Sequence, residues 1–112
     1  MNTQNHLSIS TWKAAQPKDI VLLHADVNYT NILFANGRKM IVATTMKKIE
    51  ERLERSNMFF RTHKSYMVNL KYIKHIDYLH TEDFIEMQND YRVLISRRRK
   101  LAFNNRVKEF NA

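Results

Sequence analysis

Four consecutive cations, Arg97-Arg98-Arg99-Lys100, form the densest charge feature of the chain, and from Arg92 to Lys108 there are seven cations before the first acid, Glu109. Solvated surface is the ordinary fate of such a run. Its position argues for more. It lies where a short strand-like stretch, 91–95, passes into a helix-like one, and cations at a helix N-terminus oppose the macrodipole by roughly 0.3 to 1 kcal/mol each. Fold stability gains nothing from four of them there, whereas phosphate binding would use them. Two further polar segments stand at strand ends, Asp26-Val27-Asn28-Tyr29-Thr30-Asn31 and Arg61-Thr62-His63-Lys64-Ser65. Asn can pair bidentately with adenine, Thr can meet a thymine methyl, and Lys or Arg suits the O6 and N7 acceptors of guanine. Alone, the first of these segments reads as a plain Asx-type turn. The three together are what suggest a surface for nucleic acid.

The same residues make poor catalytic machinery. The chain has no Cys and a single glycine, Gly37, so it lacks a thiol nucleophile and a glycine-rich phosphate cradle. Ser65 and His63 share a strand face, but no acid of matching placement follows, and Asp77 is only the nearest guess. His6, His24, His63, His75 and His80 show no HExxH spacing, and His75 and His80, five apart, should face opposite ways. The expectation is a non-enzymatic protein with no metal and no cofactor. His63 is expected to hold a turn by a hydrogen bond rather than to touch a base.

Length and composition bound the rest. At 112 residues the chain suffices for one domain with its own core and not for two. A hydrophobic content of 44% with 11% aromatics argues for a folded domain. Nineteen Lys+Arg against 11 Asp+Glu leave +8, a field that attracts polyanions. Absence of Cys fits a reducing cytoplasm, and no window reaches the roughly 18 to 20 apolar residues of a membrane span. A cytoplasmic protein without a membrane partner is expected.

Positioning such patches requires strands. Apolar runs of strand length recur at 7–12, 19–24, 29–35, 38–43, 58–63, 73–79, 83–88 and 91–95, bounded by Asn, Asp and Ser. Asn36-Gly37 predicts a tight hairpin of type I′ between two of them, and Gln88-Asn89-Asp90 a weaker one. Met46, Ile49 and Leu53 at i, i+3 and i+7 predict an amphipathic helix over about 46–55, capped by Thr45 and ended by Ser56-Asn57. A C-terminal helix over about 98–110 should bury Phe103, Val107 and Phe110. The fold class is mainly β, with antiparallel strands and these two helices.

These features resemble the LytTR family of bacterial DNA-binding domains. The matching residues are Asp19-Ile20 with Ala25-Asp26-Val27-Asn28-Tyr29-Thr30, then Met58 to Asn69, then Ile73 and Ile76, and finally Val93-Leu94-Ile95-Ser96-Arg97-Arg98. The block Phe59 to Asn69, of the form F-x-R-x-H-x-S-x-x-V-N, is the most specific, and the agreement runs from about residue 7 to the end. The resemblance implies an elongated β domain that lays loops and strand ends into successive major grooves, as a transcription regulator and response-regulator effector. Its base-reading positions fall on Thr30, Lys64 and Arg98. Asn28, Arg61, Arg97, Arg99 and Lys100 are assigned to phosphates, which position a protein without reading sequence. A one-residue register error would exchange Arg98 for Arg97 or Arg99.

The expectation is therefore a single domain, 1–112, with its core over about 7–110 and no receiver domain. Its partner is double-stranded DNA, read as direct repeats by a chain that is monomeric in solution and paired on DNA. If about five to seven cations meet phosphate, log K against log salt should slope at roughly −4 to −6. Two alternatives stay open, an RNA-binding module and a basic β module for an acidic partner.

Overall fold

Alternating apolar residues cover one face of a sheet, whereas an unbroken apolar run must be covered on both. The run Ile20-Val21-Leu22-Leu23 is of the second kind and forms the middle of the fold. The computed structural model describes residues 6–7, 15–77 and 83–111, and places this run in strand β2 (Ile20–Asp26). Around it stand β1 (His6–Leu7), β3 (Tyr29–Phe34), β4 (Lys39–Val42), β5 (Phe59–His63) and β6 (Tyr66–Asn69), in the order β1-β4-β3-β2-β6-β5. A second sheet is the meander β7 (Ile73–Asp77), β8 (Phe84–Met87) and β9 (Arg92–Leu94). The expected mainly antiparallel β class holds, with β1 on β4 the one parallel pair among the described strands.

A core lies on each side of the large sheet. On one side helix α1 (Met46–Leu53) packs Met46, Ile49 and Leu53, each at most 3% exposed, against Ile20, Leu23, Ile32 and Met67. The i, i+3, i+7 spacing therefore turned the face it promised inward, and the Thr45 hydroxyl accepts from the Lys48 N–H at 3.4 Å as cap. A 3-10 turn, Glu54–Ser56, extends the helix to Asn57, whose φ of 59° ends it. On the other side Val21, Leu22 and Val68 meet Ile85, Met87 and Val93 of the second sheet and Phe103 of helix α2 (Lys100–Asn111). A register shift between Ile20 and Leu22 lets four successive apolar residues serve two cores.

Both expected hairpins form, the first of them without the expected type I′ turn. Only Gly37 has positive φ, +91°, in its loop. Gly37 N–H donates to Phe34 O, Phe34 N–H donates to Arg38 O, and the Asn36 side chain accepts from Arg38 N–H. This is a three-residue loop with glycine at its left-handed position, which needs one positive φ where type I′ needs two. Gln88-Asn89-Asp90 repeats the design, with Asp90 at φ 66° and Met87 N–H on Tyr91 O.

Strand β6 has no counterpart among the expected runs, although it is paired on both sides, to β2 and β5. Its four residues are too few for periodicity to register. Phe110 is 38% exposed, whereas Phe103 is fully buried and Val107 partly so. The expected strands at 7–12 and 73–79 appear as His6–Leu7 and Ile73–Asp77; residues 8–12 and 78–79, and with them Trp12, as well as His80, lie outside the described residues.

Candidate nucleic-acid interface

The β2–β3 hairpin closes through Val27 and Asn28, with Asp26 opposite Tyr29. Val27 is 93% exposed and sits at φ 52°. A β-branched residue is a steric outlier there, and strain of this kind gathers at functional loops. Asn28 is exposed beside it. Thr30 is not: it is fully buried, and its hydroxyl donates to Thr44 O at 2.7 Å. The expected base contact from Thr30 is thus corrected, since its side chain faces the protein and has no surface to offer.

The β5–β6 turn carries Lys64 and is held from three sides. His63 Nδ1 accepts from the Ser65 N–H at 3.1 Å, the turn-holding role expected of it. Ala25 N–H donates to Ser65 O at 2.9 Å and so ties this turn to the first hairpin. Arg61 braces it from below, one nitrogen on Glu50 Oε1 at 2.8 Å and the other on Lys64 O. With its guanidinium paired to a carboxylate and only 19% exposed, Arg61 is a strut, which corrects its assignment to phosphate. Lys64 itself is exposed. Backbone fixed and side chain free is the arrangement a contact residue needs.

The basic run docks on the same corner. Ser96 N–H donates to Thr62 O at 2.7 Å, and a 3-10 turn, Arg97–Arg99, leads into α2. Within this turn the side chains diverge. Arg97 and Arg98 are exposed. Arg99 reaches back to Arg61 O at 3.2 Å, and Lys100 pairs with Asp83 at 2.5 Å. Lys100 is thus shared with a carboxylate while its side chain stays 41% exposed, and Arg99 is committed in part. The three polar segments do meet, joined by Ala25–Ser65, Thr62–Ser96 and Arg61–Arg99, and they turn outward Val27, Asn28, Lys64, Arg97 and Arg98.

Sequence reasoning missed Glu50 and Asp83, the acids that pair with Arg61 and Lys100, and it missed His24, which stacks on Tyr66 at 4.6 Å and 18° behind the Lys64 turn. Each partner lies on another element, so no local signal marks it. The Glu50–Arg61 pair is tested by a double-mutant cycle with Glu50→Gln and Arg61→Met. Each single change should cost about 1 to 3 kcal/mol, as loss of one partner leaves a half-buried charge, and the double mutant should cost less than the sum. Additive effects in urea melts would show that the two side chains do not interact.

Among the described residues no group of three or more His, Asp or Glu could hold a metal ion, and no helix is long and apolar enough to cross a membrane. A family model described as the LytTr DNA-binding domain matches residues 10–108. Among solved structures the chain is similar to a LytTr DNA-binding domain from Bacillus cereus, 22% identical, with a TM-score of 0.71 over 83% of this chain and 84% of that one. No curated protein matches.

Proposed function

The chain belongs to the LytTR family of DNA-binding domains, a class that binds DNA and regulates transcription, and from that premise we propose that it reads duplex DNA in the major groove through the three joined strand-end segments. The observation that carries this reading is the divergence at the corner they form. Lys64, Arg97 and Arg98 project outward from backbone held by hydrogen bonds, while Arg61 and Lys100 are each paired to a carboxylate. Lys64 and Arg98 are assigned to guanine edges and Arg97 and Asn28 to phosphates. Val27 takes the place once given to Thr30, its exposed methyls suited to a thymine methyl.

The domain works by binding alone, as one unit over about 7–110 in the cytoplasm. It is monomeric when free and paired on direct repeats, and sedimentation at micromolar concentration with and without duplex distinguishes this from a preformed dimer. Selection of bound fragments from a random duplex pool, with RNA as competitor, tests the reading directly. Enrichment of one duplex sequence supports it, and no preference among duplexes or preference for RNA overturns it.

On the selected site, Arg98→Ala should cost about 1 to 3 kcal/mol and far less on the site mutated at the base pair it reads. Arg97→Ala should weaken all sequences alike and lower the salt slope by about one unit. Arg99→Ala and Lys100→Ala should alter the salt slope less, since both side chains are committed to the protein. An unchanged specificity ratio for all of Lys64→Ala, Arg97→Ala, Arg98→Ala and Arg99→Ala would reduce the corner to an electrostatic anchor.

A further inference from the structure

A cleft of about 230 Å³ opens along the seam between the two sheets. The stacked rings of His24 and Tyr66 line it from the large sheet, and Tyr91 and Val93 line it from the second sheet and its turn. Lys39 and Arg92 also line it, and among the described residues no carboxylate does, although Glu86 stands opposite Arg92 on the neighbouring strand. Both cations rest on ring faces: Lys39 Nζ is 5.9 Å from the Tyr91 centroid, and the Arg92 guanidinium is 3.8 Å from that of Phe84. This differs from Arg61 and Lys100, each of which has found a carboxylate. A cation over a ring is held more weakly than one bonded to a carboxylate, so an arriving anion would draw either side chain toward the cleft. Aromatic rings, apolar side chains and two cations lining one cleft together select for shape and charge.

We propose that this cleft binds a small planar organic anion of the aromatic carboxylate class, its ring between the His24–Tyr66 stack and Tyr91 and its carboxylate on Lys39 and Arg92. At about 230 Å³ the space suits a single substituted ring, below the roughly 300 to 1,000 Å³ of larger ligand sites. The site is separate from the outward cations of the DNA corner but shares a wall with it, because Tyr66 follows Ser65 and His24 precedes Ala25, the two residues whose backbones are bonded. An occupant of the cleft would thereby bias the turn that carries Lys64.

The test is an NMR titration of the isotope-labelled full chain with sodium benzoate, and with benzamide as its neutral counterpart, at constant ionic strength. Expected are saturable shifts at the amides of His24, Tyr66 and Val93, with benzamide binding at least about tenfold more weakly. The exposed changes Lys39→Gln and Arg92→Gln together should weaken benzoate about tenfold or more and leave benzamide unchanged. No saturable shift, equal affinity for the two probes, or shifts only around Lys64, Arg97 and Arg98 would overturn the proposal. This arm uses no DNA and stands apart from the duplex reading. Coupling is read in a second arm, in which saturating benzoate against matched sodium chloride should change duplex affinity about fivefold or more. An unchanged affinity there would overturn the link to the Lys64 turn.

Discussion

Duplex affinity will fall about 40- to 150-fold as salt rises from about 50 to 200 mM, because three or four cations, not five to seven, are placed to enter the DNA's counterion atmosphere, at a phosphate or at a guanine edge, at about −0.9 in slope each. Lys64, Arg97 and Arg98 face outward. Arg99 keeps its charge, since its partner is a neutral carbonyl, and it is the candidate for a fourth. Arg61 and Lys100 are already paired to Glu50 and Asp83, and a cation that keeps its carboxylate partner releases no counterion from DNA. The slope should therefore lie near −2.7 to −3.6, shallower than the −4 to −6 obtained by counting basic residues. Fluorescence anisotropy on a fixed duplex across this range measures it. A slope steeper than about −5 would mean that the internal pairs open on DNA, and a slope near zero would remove phosphate contact from the mechanism.

The largest effect on stability is expected from Phe103→Ala, at about 3 to 5 kcal/mol. Phe103 is fully buried and meets Phe60 of β5 edge-on at 5.6 Å between ring centroids. It is the buried residue of α2, so it clamps that helix, and the arginines that precede it, to the sheets. Against a typical total of about 5 to 15 kcal/mol this is a large share, and the melting temperature should drop by about 15 to 25 °C. Leu101→Ala supplies the contrast. Leu101 lies on the same helix but is 74% exposed, and its loss should stay within about 0.5 kcal/mol. Similar costs for the two, measured by calorimetry, would mean that α2 packs by another face.

Much of the architecture was legible from neighbours along the chain. Met46, Ile49 and Leu53 announced α1 because helical periodicity is a local property. Gln88-Asn89-Asp90 and Asn36-Gly37 announced turns because those residues tolerate the backbone a turn requires. The Phe59 to Asn69 block carried the family resemblance, and within it the turn-holding role of His63 depends on a residue two places away. β6 escaped because its order comes from two partner strands rather than from its own four residues.

The site divides the same way. By itself the sequence determined the net charge of +8, the presence of three polar segments at strand ends, and the basic run between strand and helix. Only the tertiary structure decided which of those side chains face out. Thr30 is turned inward by a carbonyl 14 residues away, Arg61 by a carboxylate 11 away, and Arg99 by a carbonyl 38 away. A hydrogen bond or ion pair forms only where folding brings donor and acceptor within about 3 Å, and no spacing rule along the chain contains that distance. Charge is a sum over residues, whereas its availability to a phosphate depends on which opposite charge the fold has already set beside it.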